Sequence, residues 1–197
     1  MTLPLVLAST SPFRREVLAK LGLPFETASP DADESALVDE TPEALVARLS
    51  EVKARAVAAA HPEALIIGSD QVAVLTTAEG VEVLGKPGSH PRAAAQLRRL
   101  SGHRVTFLTG LCLFNSATGR ARVVVEPFHV HFRQLSETMI ENYLRAEQPY
   151  NCAGSFKSEA LGIVLFERLE GDDPNALIGL PLIRLVEMLE GEGVSVL

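Results

Sequence analysis

One carboxylate stands inside an apolar run: Asp70, within Leu65-Ile66-Ile67-Gly68-Ser69-Asp70-Gln71-Val72-Ala73-Val74-Leu75. Such a run predicts a strand buried on both faces. A charge there is costly to desolvate unless it is paired, hydrogen-bonded or bound to a metal. The plain alternative is a turn aspartate at a strand end. Other groups of the right chemistry recur along the chain. Ser9-Thr10-Ser11-Pro12-Phe13-Arg14-Arg15 joins hydroxyls and two arginines to a helix start. Free N–H groups and the positive dipole end favour phosphate at such a start, so Ser9, Ser11, Arg14 and Arg15 are candidate anion ligands. Solvated surface arginines are the bland reading. Asp31, Asp33 and Glu34 form an acidic loop that is either solvated or supplies a hard-metal ligand opposite Asp70.

Two lysines complete the set. At 100° per residue, Leu45, Val46, Leu49, Val52, Ala56, Val57 and Ala60 cover one helical arc, and Lys53 is the charge inside it. Its amine is expected to point at a site, with a stem that packs and snorkels as the alternative. Lys86 follows a Gly-containing connection between two apolar runs, which reads as a hairpin. If Thr76 pairs with Val81, the count puts Gln71 opposite Lys86, next to Asp70. An exposed loop lysine is the other outcome of an uncertain register.

The elements that must position these groups follow from local signals. Leu3 to Ala8 is a first strand. Ser11-Pro12 opens a helix with Phe13, Val17, Leu18 and Leu21 on one face and Gly22 at its end. Phe25 to Ala28 is a short strand, and Thr41-Pro42 opens the Lys53 helix. A third helix runs from about Pro91 to Leu100, followed by strands Val105–Phe114 and Ala121–Phe132. Phe128, Val130 and Phe132 face one way, His129 and His131 the other. That His-x-His face is expected to be solvated, chelation of a metal being the alternative. Ser136 caps a helix with Ile140, Tyr143 and Leu144 inside. Residues 163–167 read as a strand, 171–174 as a turn, and Leu182 to Leu189 as a terminal helix. No linker or repeat intervenes, so one mixed α/β domain over residues 1–197 is expected.

Composition bounds the function. The 197 residues carry a formal net charge of −7 and no Trp, which argues against a nucleic-acid polymer as partner. Two cysteines without CxxC spacing indicate neither a disulfide framework nor a zinc site. No apolar stretch is long enough to span a membrane, and the N-terminus lacks the basic flank of a signal peptide, so a cytoplasmic protein is expected. There is no GxGxxG, Walker-type loop, HExxH or GxSxG.

Taken together, Ser9–Arg15, Gly68-Ser69-Asp70-Gln71-Val72, Gly85-Lys86-Pro87 and Thr109-Gly110-Leu111 resemble the motif series of the Maf family of nucleoside triphosphate pyrophosphatases. The stretches 153–159 and 171–181 are similar to its 7-methyl-GTP branch. The resemblance implies a mixed α/β fold with a central twisted sheet, two lobes and a cleft between them. It also implies hydrolysis between the α- and β-phosphates of a small nucleotide, a divalent cation (magnesium or manganese), and often a homodimer. Asp70 matches the family's proton acceptor, and Phe13, Gln71 and Glu159 match positions taken to sort substrates. The dTTP and UTP branch usually has arginine, threonine and glutamine there. On this reading Lys53 and Lys86 join Asp70 in catalysis, and Glu34 and Asp70 hold the metal. A dTTP/UTP pyrophosphatase and a nucleotide-binding regulator of cell division are the rival readings.

Overall fold

The computed structural model describes residues 3–78 and 80–197. Strand β1 (Leu5–Ala8) leads into helix α1 (Pro12–Ala19), and β2 (Phe25–Ala28) is followed by a long loop and α2 (Pro42–Ala56). Then come β3 (Leu65–Thr77), β4 (Gly80–Leu84), α3 (His90–Leu100), β5 (Arg104–Asn115), β6 (Arg120–Phe132) and α4 (Glu137–Glu147). The chain ends through β7 (Phe166–Glu170), α5 (Pro174–Ile178) and α6 (Leu182–Gly191). The seven strands form one mixed sheet in the order β2-β1-β3-β5-β6-β7, with β4 paired to β3. The mixed α/β class expected from the sequence is what is observed.

Packing divides the chain into two compact units, residues 1–71, 108–126 and 173–197 in the first and 72–107 and 127–172 in the second. Strands β3, β5 and β6 each run through both. In the first unit β1 lies parallel to β2 and to β3, with Leu5 opposite Leu65 and Leu7 opposite Ile67. Alternate residues of these strands feed two cores. Leu5, Leu7, Leu65, Ile67, Leu111 and Leu113 pack with Val17 and Leu18 of α1 and Leu185 of α6. Val6, Ala8, Ile66, Cys112 and Phe114 pack with Ala54. Burial on both faces is the reason these strands read as unbroken apolar runs. In the second unit Phe107, Phe132, Phe156 and Phe166 meet edge to face, with centroids 4.9–5.5 Å apart. Phe128, Val130 and Phe132 are buried there, as the alternation predicts.

Caps behave as read. Ser11, Thr41 and Ser136 each accept a backbone N–H at the head of their helices. Four expectations need correction. Phe13 is 38% exposed, outside the buried stripe that Val17 and Leu18 form, because it stands in the first turn, ahead of the segment that rests on the sheet. Helix α1 ends at Ala19, and Gly22 (φ +68°) closes the turn beyond it. Residues 161–165 form a 3₁₀ turn, so the strand placed at 163–167 starts at Phe166. The turn at 171–174 is the head of a helix: buried Asp173 caps α5, which at five residues is too short to show periodicity. The β3–β4 hairpin has the expected register, Thr76 opposite Val81; Glu79 lies outside the described residues.

Candidate active site

The site is built by two glycines that let α2 sit against the sheet. A Cβ on Gly68 of β3 would stand 2.0 Å from the Ser50 carbonyl oxygen and 2.8 Å from the Ala54 nitrogen. A Cβ on Gly110 of β5 would stand 2.0 Å from the Val46 carbonyl oxygen. With only hydrogen at these positions the helix lies on the strands, and its inward charge is delivered two residues past Gly68. Lys53 is buried and its Nζ donates to Asp70 Oδ1 at 2.7 Å. The same ammonium is 3.0 Å from Glu34 Oε1, on the acidic loop. Asp70 is 7% exposed and Lys53 7%, whereas the Glu34 side chain is 59% exposed. The lysine inside the apolar arc therefore turns its amine onto two carboxylates, and Asp70 is a paired strand carboxylate rather than a turn cap.

The head of α1 arrives beside this pair because β1 ends at Ala8 while β3 runs on past the last β1–β3 pair, Leu7 with Ile67. Ser9 is buried and its Oγ accepts the Ser11 N–H at 3.1 Å. Ser11 Oγ accepts the Arg14 N–H at 3.4 Å. The Arg14 Nε donates to the Gly179 carbonyl at 2.9 Å, at the C-terminal end of α5, where a cation is favoured. Burial pushes the Arg14 guanidinium below its usual range, and Asp70 and Glu34 pull it back up. Arg14 is thus half-buried and part of the cluster, while Arg15 and Phe13 are exposed on the same helix.

Residues on either side of Asp70 hold α5. Ser69 Oγ reaches the carbonyls of Gly110 and Gly179 at 2.9 and 2.8 Å. Gln71 Nε2 donates to Thr109 Oγ1 at 2.9 Å and to the Ala176 and Leu177 carbonyls at 2.8 and 3.2 Å. Sequence reasoning missed this role of α5, of Thr109 and of the Gly179 carbonyl. No residue type flags a backbone oxygen, although Asp173-Pro174 repeats the cap–Pro signature that revealed α1 and α2.

Lys86 and Glu159 belong to the second unit. The β3–β4 ladder ends at Ala73 with Leu84, two positions short of the Gln71–Lys86 pair that counting suggested. The charges of Lys86 and Glu159 both act on the Cys152 thiol. Burial pushes that thiol up; the positive charges of Lys157 and Lys86 lower it, and Glu159 and Glu147 raise it. His129 bonds Thr106 Oγ1 at 2.9 Å and His131 bonds Glu170 Oε2 at 2.9 Å. Among the described residues no three His, Cys, Asp or Glu side chains cluster as a metal site. Glu34 and Asp70 supply two carboxylates, each with one oxygen on Lys53. That set suits a hard cation that takes its remaining oxygen ligands from phosphates and water.

Comparison with known proteins decides the family. A family described as Maf-like protein matches residues 4–192. The chain belongs to the Maf family. Among its Maf relatives, a 7-methyl-GTP pyrophosphatase of Nitrosococcus oceani is 63% identical over 193 residues, covering 98% of this chain and 95% of that protein. Proteins of the same name from Alcanivorax borkumensis and Vibrio cholerae are 62% and 58% identical, over 97% and 98% of this chain and 95% and 97% of theirs. The structure of the Staphylococcus aureus Ham1 protein is similar in fold, with a TM-score of 0.55 at 14% identity over 96% of this chain and 99% of that one. The family and branch expected from the motifs agree with these relatives.

Proposed function

We propose that this Maf chain hydrolyses 7-methyl-GTP between its α- and β-phosphates, releasing 7-methyl-GMP and pyrophosphate. The substrate is that named for relatives at 58–63% identity. The observation that carries the chemistry is the Lys53 ammonium bridging Asp70 and Glu34 beside Arg14. Hydrolysis of a phosphoanhydride requires mainly positioning and stabilisation of charge. Ser9, Ser11, Arg14 and Arg15 bind the polyphosphate at the head of α1. A water oxygen forms the new bond to the α-phosphorus while the bond from that phosphorus to the bridging oxygen breaks. Pyrophosphate leaves with the electron pair. Asp70 takes the water's proton, and Lys53 holds the carboxylate through Oδ1 so that its other oxygen is available. Lys53 offsets the charge that develops on the phosphoryl oxygens.

A magnesium or manganese ion held by Glu34 and Asp70 would withdraw charge from the phosphate oxygens. Phe13, exposed at the head of α1, stacks on the cationic 7-methylguanine, a contact of about 0.5–2 kcal/mol. Gln71 contributes through α5, whose carbonyls it holds. A cytoplasmic homodimer belongs to the same reading. The test is turnover of 7-methyl-GTP, GTP, dTTP and UTP with magnesium or manganese, with pyrophosphate and orthophosphate resolved. Preferred release of pyrophosphate from 7-methyl-GTP is expected. Preference for dTTP or UTP, or binding of nucleotides without turnover, would overturn the proposal.

A further inference from the structure

Glu34 reaches Lys53 from a loop that has little of its own to hold it. Residues 29–41 between β2 and α2 form no regular element beyond one turn, and residues 33–39 are all exposed. Asp31, Asp33 and Glu34 repel one another there, and ordering each residue costs about 1–2 kcal/mol of backbone entropy. A side chain 59% exposed within such a loop would not be fixed against a buried ammonium by an ion pair alone.

The fixing group is Arg48, five positions before Lys53 on α2 and so about 7.5 Å along the helix from it. Its Nε donates to Glu40 Oε1 at 2.6 Å and its Nη2 to Glu40 Oε2 at 2.8 Å, a two-pronged carboxylate contact. The same Nη2 donates to the carbonyl of Ser35, the residue after Glu34, at 3.0 Å. Glu40 Oε2 also accepts the Leu37 N–H at 3.0 Å. One guanidinium and the carboxylate it holds therefore gather the loop at residues 35, 37 and 40. The hydrogen bonds from Arg48 draw the Glu40 carboxyl down to about 2, so the clamp stays charged across the working range of most enzymes.

We infer that Arg48, paired with Glu40, is the positioning residue that sets the Glu34 carboxylate against Lys53 and Asp70. The inference deepens the proposed function and rests on it for its activity readout. Lysine at position 48 would keep the charge and lose the planar fork. The prediction is that Arg48→Lys and Glu40→Gln each lower kcat/KM for 7-methyl-GTP by about 10- to 100-fold, as misplacement of a site group does, at nearly unchanged thermal midpoint. In a Glu34→Gln background, Arg48→Lys should produce no further loss, a coupling that a general stabilising role would not give. Backbone hydrogen exchange at Ser35 to Glu40 gives a readout independent of turnover: it should accelerate in both single variants while α2 stays protected.

Full activity of Arg48→Lys, losses that multiply with Glu34→Gln, or unchanged exchange in the loop would each overturn the positioning role. If the wild-type protein turns over no nucleotide, the functional proposal fails by itself. Faster exchange in the variants would then support the clamp, and unchanged exchange would overturn it.

Discussion

At the scale of single residues, the centre of this protein is a buried carboxylate whose partner arrives from a helix. Asp70 and Lys53 are both buried and meet at 2.7 Å, so each meets part of the desolvation cost of the other. Removing one partner leaves an uncompensated buried charge. Lys53→Met should therefore lower the unfolding free energy by about 3–5 kcal/mol in denaturant titrations. Adding Asp70→Asn to that variant should restore part of the loss, because the stranded charge is gone. A double variant less stable than Lys53→Met alone would show that the pair is not the buried charge couple described here. The sequence revealed Lys53 because every other charge of its helix avoids the apolar arc. It could not reveal that Glu34 reaches the same ammonium, since nothing local distinguishes that carboxylate from Asp31 and Asp33.

At the scale of elements, helix α2 matters most, and its seat is a pair of glycines. Gly68 has ordinary extended backbone, so alanine there is conformationally allowed and the objection is steric. Its Cβ would lie 2.0 Å from the Ser50 carbonyl oxygen, a backbone atom with no rotamer to change. Gly68→Ala should lift α2 from β3, cost about 1–3 kcal/mol of stability, and reduce turnover by displacing Lys53. A variant with wild-type kcat and an unshifted thermal midpoint would refute this seating. The helix starts themselves were legible because Ser11-Pro12, Thr41-Pro42 and Ser136 carry local capping chemistry. Short α5 was not: its five residues show no period, although Asp173-Pro174 carries the same signature.

At the scale of the whole molecule, what holds the site is long-range in sequence. Arg14 bonds the Gly179 carbonyl, Gln71 the carbonyls of Ala176 and Leu177, and Ser69 the carbonyl of Gly179. These bonds link a helix near the N-terminus, a central strand and a five-residue helix near the C-terminus. Only the fold brings them together, which is why residue types and spacing gave the sheet and most helices but not α5's part in the site. The motif series supplied the family, and relatives at 58–63% identity carry the same branch name. Among the described residues no helix is long and apolar enough to cross a membrane.

The proposed chemistry turns on water attacking the α-phosphorus with Asp70 as its base. Single-turnover hydrolysis of 7-methyl-GTP in ¹⁸O-labelled water, by the wild-type protein and by Asp70→Asn, tests it directly. Label is expected in 7-methyl-GMP, none in pyrophosphate, and no turnover by a folded Asp70→Asn. Label in the pyrophosphate, or an Asp70→Asn variant that keeps most of the rate, would contradict it.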